Sequence, residues 1–187
     1  MGGIMGKICF QLSESLDVPT DKNYLDVTRN DFKEFKKINK DSLSNIGCYV
    51  FSSIKKGTTN TRIPIYVGKT TNQDFSKECF MPEKLAKLNN FFHVNKCREL
   101  KLNLLYPENS TRKNAKGLKT AISELEIYLI MEASEHHPEL INIQKANGHE
   151  WCVEGVIRDR DGRHAIAAKN SDFRALIGFS DPSAKTK

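Results

Sequence analysis

Two short β-forming runs with a turn between them constrain this chain more than any other feature. GCYVFSSI, residues 47–54, opens on a glycine and is rich in aromatic and β-branched side chains. PIYVG, residues 64–68, has the same character and closes on a glycine. The segment KKGTTNTR, residues 55–62, has the composition of a turn. Together they predict an antiparallel hairpin with a long loop. Residues two apart share a strand face, so Tyr49 lies on the face of Gly47 and Tyr66 on the face of Gly68. Pairing of the strands brings both phenols onto one surface. A glycine there lets another backbone or a ligand approach closely, and Lys69 adds a charge at the strand end. Packing alone accounts for most strand tyrosines, so the pattern gains meaning only from its surroundings.

Those surroundings predict a mixed succession of elements. KICFQL reads as a short strand, and TRNDFKEFKKINK as a short helix with Thr28 or Asn30 as its cap and Phe32, Phe35 and Ile38 at helical spacing. After the hairpin, Asp74 or Asn72 can cap a short helix that breaks before Pro82. A second helix then runs from about Pro82 to Phe92, with Pro82 tolerated in its first turn. ELKLNLLY, residues 99–106, alternates as a third strand, and residues 107–117 form a polar loop. A strong helix comes next, from Leu118 to about His136, left through PELIN at residues 138–142. The order predicts an α+β fold: a small antiparallel three-stranded sheet flanked by helices, with a C-terminal strand-and-helix appendage. The expected boundaries are an N-terminal extension over 1–45, a central domain over 46–145, the appendage over 146–180 and a disordered tail over 181–187.

Composition narrows the function class. The chain has 187 residues, of which 39% are hydrophobic and 28% charged, as in a soluble globular domain. No run approaches the ~20 apolar residues of a membrane span, and MGGIMGKICF is too weakly apolar for a signal peptide. The five cysteines are odd in number and never within four residues of each other, which disfavours both a disulfide framework and a zinc site. A cytoplasmic protein without a membrane partner is expected. The net charge of +6 is concentrated in the middle of the chain, where residues 69–119 hold 11 basic and 5 acidic side chains. A basic centre beside a more acidic tail fits an anionic partner such as nucleic acid.

The long helix adds Glu124 and Glu126, acids set among apolar residues in ISELEIYLI. An acid beside a buried stripe is accounted for by a metal ion or a cationic partner. Read in order, GCY at 47–49, YVGK at 66–69, a basic helical region, ELEIYLI at 124–130 and Asn142 after Pro138 resemble the GIY-YIG nuclease family. The resemblance covers roughly residues 45–145. It implies a metal-dependent endonuclease that hydrolyses phosphodiester bonds of nucleic acid, with DNA the expected substrate. It also implies a small three-stranded antiparallel sheet with flanking helices.

The resemblance also implies residue roles. Tyr49 or Tyr66 accepts the proton of the attacking water, with Gly68 leaving room. Lys69 tunes that phenol or meets the phosphate. Glu126 holds one divalent ion, Mg²⁺ or Mn²⁺, and Asn142 orients the site. The family's helix Arg is replaced: Ser76 stands at the expected distance, with Lys77 beside it and Lys84 further on, and no Arg occurs between Arg62 and Arg98. Lys77 or Lys84 then takes that place, although a lysine lacks the bidentate fork. His93, near the basic helix, is a further candidate at the substrate. Arg158, Arg160 and Arg163 form a turn able to grip phosphates, or a hairpin that packs Trp151. The missing Arg supports an alternative, a nucleic-acid-binding module that has lost cleavage. A domain that binds an acidic protein is a third reading.

Overall fold

The computed structural model describes residues 8–21, 24–55, 62–95, 97–108, 117–137, 140–141, 152–153 and 176. In chain order these form β1 (Cys9–Leu12), β2 (Leu16–Val18), α1 (Asn30–Ile38), α2 (Lys40–Leu43), β3 (Gly47–Lys55), β4 (Arg62–Thr70), α3 (Phe75–Glu78), α4 (Pro82–Asn95), β5 (Cys97–Pro107), α5 (Leu118–His136) and β6 (Cys152–Val153). The class is α+β, with an antiparallel sheet flanked by helices. The sheet is larger than the three strands expected: among the described residues its six strands run β4-β3-β5-β1-β6, with β2 also paired to β5. The three strands of the expected sheet, β3, β4 and β5, lie side by side in it, with β4 at one edge. β1 and β2 add antiparallel partners to β5, and β6 pairs with β1 in parallel.

Residues 1–45 therefore contribute strands to the same sheet as residues 46–145. LDV at β2 is too short to show a strand period by itself; its partner Leu100–Leu102 on β5 makes it one. Much of the C-terminal appendage, including the Arg158–Arg163 turn, Trp151, the predicted final helix and the tail, lies outside the described residues, as does Asn142. Its described parts are β6 and the buried Leu176.

Local chemistry sets the helix starts. Asp74 caps α3 by accepting from the Lys77 backbone N–H at 3.0 Å. Pro82 opens α4, where its missing N–H leaves no hydrogen bond unmade. α1 starts after Arg29 without a side-chain cap, so neither Thr28 nor Asn30 plays that part. The Thr28 hydroxyl bonds Asp26 instead. α5 starts after Gly117, whose φ of 93° favours glycine.

The sheet separates two cores among the described residues. One holds Tyr49, Phe51, Ile65, Phe75, Leu88, Phe92 and Leu104 under α1, α3 and α4. The other holds Cys48, Val50, Val67, Leu105, Ile122, Leu125 and Leu129 under α5. Alternation along β3 assigns Cys48 and Val50 to one side and Tyr49 and Phe51 to the other. On β4 the register jumps from Tyr66 opposite Phe51 to Pro64 opposite Ser52. Ile65 is the extra residue of this bulge, which bends the edge strand beside Tyr66. The chain leaving α5 returns here: the Ile141 N–H donates to the Ile65 carbonyl at 2.9 Å.

Candidate functional site

The β3–β4 register builds the site. Tyr49 lies directly opposite Gly68, and Phe51 opposite Tyr66. Both tyrosines thus occupy one face, with ring centroids 6.1 Å apart and planes 16° from parallel. Gly68 is the room that Tyr49 needs: a Cβ there would overlap the Tyr49 Cζ and Oη. Gly47 answers a different demand. Its φ is 151°, and a Cβ would run into the Leu105 carbonyl oxygen on β5.

The two phenols are not equivalent. Tyr49 is 0% exposed, walled by Phe51 and by Phe75 of α3. Its hydroxyl is buried and makes no well-formed hydrogen bond to a described group. Tyr66 is half-buried on the edge strand. Burial pushes the Tyr49 phenol far above its usual range, helped by Cys79, Tyr66 and Glu78. Burial also raises Tyr66; the Tyr49 hydroxyl, near enough to act as a donor, opposes that rise, while Glu126, Glu78 and Cys79 add to it. Both are neutral phenols at neutral pH.

Two carboxylates from different elements thus act on Tyr66, and a lysine holds each. On the α5 side, Lys69 Nζ is 3.0 Å from Glu126 Oε2 and donates to Ser123 Oγ at 3.1 Å. Glu126 is 9% exposed, and this pair explains how an acid sits in the buried stripe of α5. Lys69 is opposite Cys48 and so points away from the Tyr49 face, towards α5. It therefore meets Glu126 and is not among the groups that set the Tyr66 pKa. On the other side, Glu78 at the end of α3 forms an ion pair with Lys84 of α4. The same Nζ donates to the Glu78 backbone carbonyl at 2.8 Å and stands 5.8 Å from the Tyr49 ring centre.

The remaining candidates divide clearly. Of the two lysines considered for the missing Arg, Lys84 is at the tyrosines, whereas Lys77 is exposed on α3. His93 is exposed in the last turn of α4, nine residues beyond Lys84, or ~14 Å along the axis. Sequence reasoning missed Glu78, Ser123 and Gln73, whose Nε2 reaches Glu78 Oε2. The only sequence signal for Glu78 is a lysine six positions on, across a helix break that hides the contact.

Among the described residues, no three His, Cys, Asp or Glu side chains come together to cage a metal. Glu126 brings one carboxylate, with one of its oxygens on a lysine. That donor set suits an ion that keeps most of its waters and completes its shell on substrate phosphate, as Mg²⁺ does, and does not suit a fixed all-protein site. No described helix is long and apolar enough to cross a membrane. Compared with known proteins, the chain matches no family model, no curated protein and no solved structure.

Proposed function

We propose that this protein is a metal-dependent endonuclease that hydrolyses phosphodiester bonds of nucleic acid, DNA first, on a scaffold like that of the GIY-YIG nucleases. One observation carries the reading. Tyr66, the phenol of the pair that reaches solvent, stands 6.1 Å from Tyr49, whose ring has the Lys84 ammonium 5.8 Å away, while Lys69 and Glu126 pair on the α5 side of the same edge strand. Phosphodiester hydrolysis needs a proton acceptor for water, positive charge for the phosphate and help for the leaving oxygen. Tyr66, Lys84 and Glu126 are the residues for those tasks, in that order.

In this mechanism the phenolate form of Tyr66, which has given its own proton to solvent, accepts the proton of the attacking water. Tyr49 is a positioning residue: it stacks on Tyr66 and turns its hydroxyl towards it, which stabilises the phenolate. Lys84 takes the place of the absent Arg at the phosphate, and Lys69 holds the Glu126 carboxylate in orientation. Glu126 would hold the divalent ion, which would supply Lewis-acid charge at the phosphate. Cleavage of supercoiled plasmid with Mg²⁺ or Mn²⁺ tests this. Nicking is expected, and it is expected to vanish with chelator, in Glu126→Ala and in Tyr66→Phe. Undiminished nicking in both variants would overturn it.

The alternative of a non-cleaving nucleic-acid-binding module has its own support. Both lysines are engaged by carboxylates, and Ser76 stands where a forked cation is expected. Salt-sensitive gel-shift binding with no cleavage under any metal would select it.

A further inference from the structure

Lys84 stands 5.8 Å from the Tyr49 ring centre, yet its charge is already engaged. Its ammonium has Glu78 Oε1 as an ion-pair partner, the Glu78 carbonyl at 2.8 Å and the Met81 sulfur at 3.8 Å. The pair is largely shielded, with side-chain exposures of 14% for Lys84 and 20% for Glu78. Gln73 fixes the other Glu78 oxygen, so the carboxylate is itself held in place. A carboxylate fixed on a lysine above a tyrosine ring presents two acceptor oxygens, much as a phosphate would. The core beneath it is closed by Phe75, Cys79 and Phe80, each of which is buried.

We propose that Glu78 is a built-in stand-in for the substrate phosphate: it latches Lys84 in the free protein and gives it up when a phosphodiester arrives. This rests on the nuclease or nucleic-acid-binding reading of the site. The latch keeps an unpaired cation away from the tyrosines while the site is empty. It also opposes every anion, since a ligand gains Lys84 only by displacing Glu78. A weak or singly charged anion displaces it poorly, and a phosphate within a polyanion held by other contacts displaces it well. The chemistry thus selects for nucleic acid over small anions.

The test is binding of a short fluorescein-labelled DNA duplex, measured by anisotropy in EDTA so that no cleavage intrudes. Glu78→Gln keeps size and hydrogen bonding but removes the competing charge. It is expected to tighten binding by about fivefold, the equivalent of ~1 kcal/mol for a partly shielded pair. Lys84→Ala is expected to erase that gain when combined with Glu78→Gln, and to weaken binding when alone. Binding by the variant where the natural protein shows none also supports the latch. If the natural protein binds and Glu78→Gln binds no tighter, the latch is wrong and the function stands. If neither binds DNA, both are wrong. Should Glu78→Gln fail to fold, the Lys84 ammonium signal in nitrogen-15 NMR decides in the natural protein. A slowly exchanging signal that shifts on adding the duplex supports the latch, and an unchanged signal overturns it.

Discussion

At the scale of single residues, the two tyrosines that look alike in the sequence behave differently in the fold. Tyr49 buries a hydroxyl with no well-formed partner among the described groups. Leaving a buried polar atom unsatisfied costs ~1–3 kcal/mol, so Tyr49→Phe is expected to leave stability unchanged or raise it by ~1 kcal/mol in urea denaturation. Tyr66→Phe is expected to leave stability within ~0.5 kcal/mol and to reduce cleavage at least about a hundredfold. Because Tyr66 is raised above its ordinary range, its basic form is scarce at neutrality. The cleavage rate is therefore expected to climb with pH through about 9, close to tenfold per unit. Stability takes the opposite course. A phenol whose folded pKa is raised stabilises fully below the unfolded value of about 10 and loses that contribution as pH rises through the folded value. Burial takes Tyr128 up to about 12, and Tyr49 and Tyr66 are raised as well. A stability curve flat across neutrality and falling from about pH 10 towards 12 is expected in thermal melts.

At the scale of elements, α5 is tied to the hairpin by polar contacts as well as by its apolar stripe. Lys69 of β4 reaches Glu126 and Ser123, and the Cys48 thiol of β3 donates to the Ile122 carbonyl at 3.1 Å. The ion pair is asymmetric, with Lys69 35% exposed and Glu126 11%. Removing the exposed partner leaves the buried charge alone, which costs more than the reverse. Lys69→Ala is therefore expected to destabilise by about 2 kcal/mol, and Glu126→Ala by less than about 1, measured by urea unfolding. The element pattern was largely legible in the sequence. α5 lies where its periodicity predicts, and Asp74 and Pro82 mark the starts of α3 and α4. β2 was not legible, because three residues carry no period and acquire a strand's identity only from their partner. The bulge at Ile65 was hidden for a related reason: a register jump belongs to two strands at once.

At the scale of the whole molecule, residues 1–45 share one sheet and both of its cores with residues 46–145. Phe10 is buried beneath α5, and Val18, Phe32, Phe35 and Leu43 belong to the core around Tyr49. Deleting residues 1–45 removes two strands and exposes β5 along Leu100–Pro107. The truncated chain is expected to be unfolded or aggregated by circular dichroism and light scattering. The basic balance also acts at this scale. DNA binding by the whole chain is expected to weaken steeply with salt, by about 0.9 in log–log slope for each phosphate neutralised.

The sequence by itself determined the α+β class, the hairpin, the starts of α3 and α4 and the shared face of Tyr49 and Tyr66, because each depends on a local period or on a residue suited to a helix start. It also contained Lys69, Glu126 and Lys84 as separate charges. Only the tertiary structure decided which charges meet. Lys69 meets Glu126 because strand alternation turns it towards α5. Lys84 meets Glu78 because the break between α3 and α4 brings the first turn of α4 beside the end of α3. Tyr66 feels both carboxylates because it stands on the edge strand between two cores. A local period fixes the side of a strand or helix on which a residue lies; the partner on that side is set by long-range packing, which no single segment encodes.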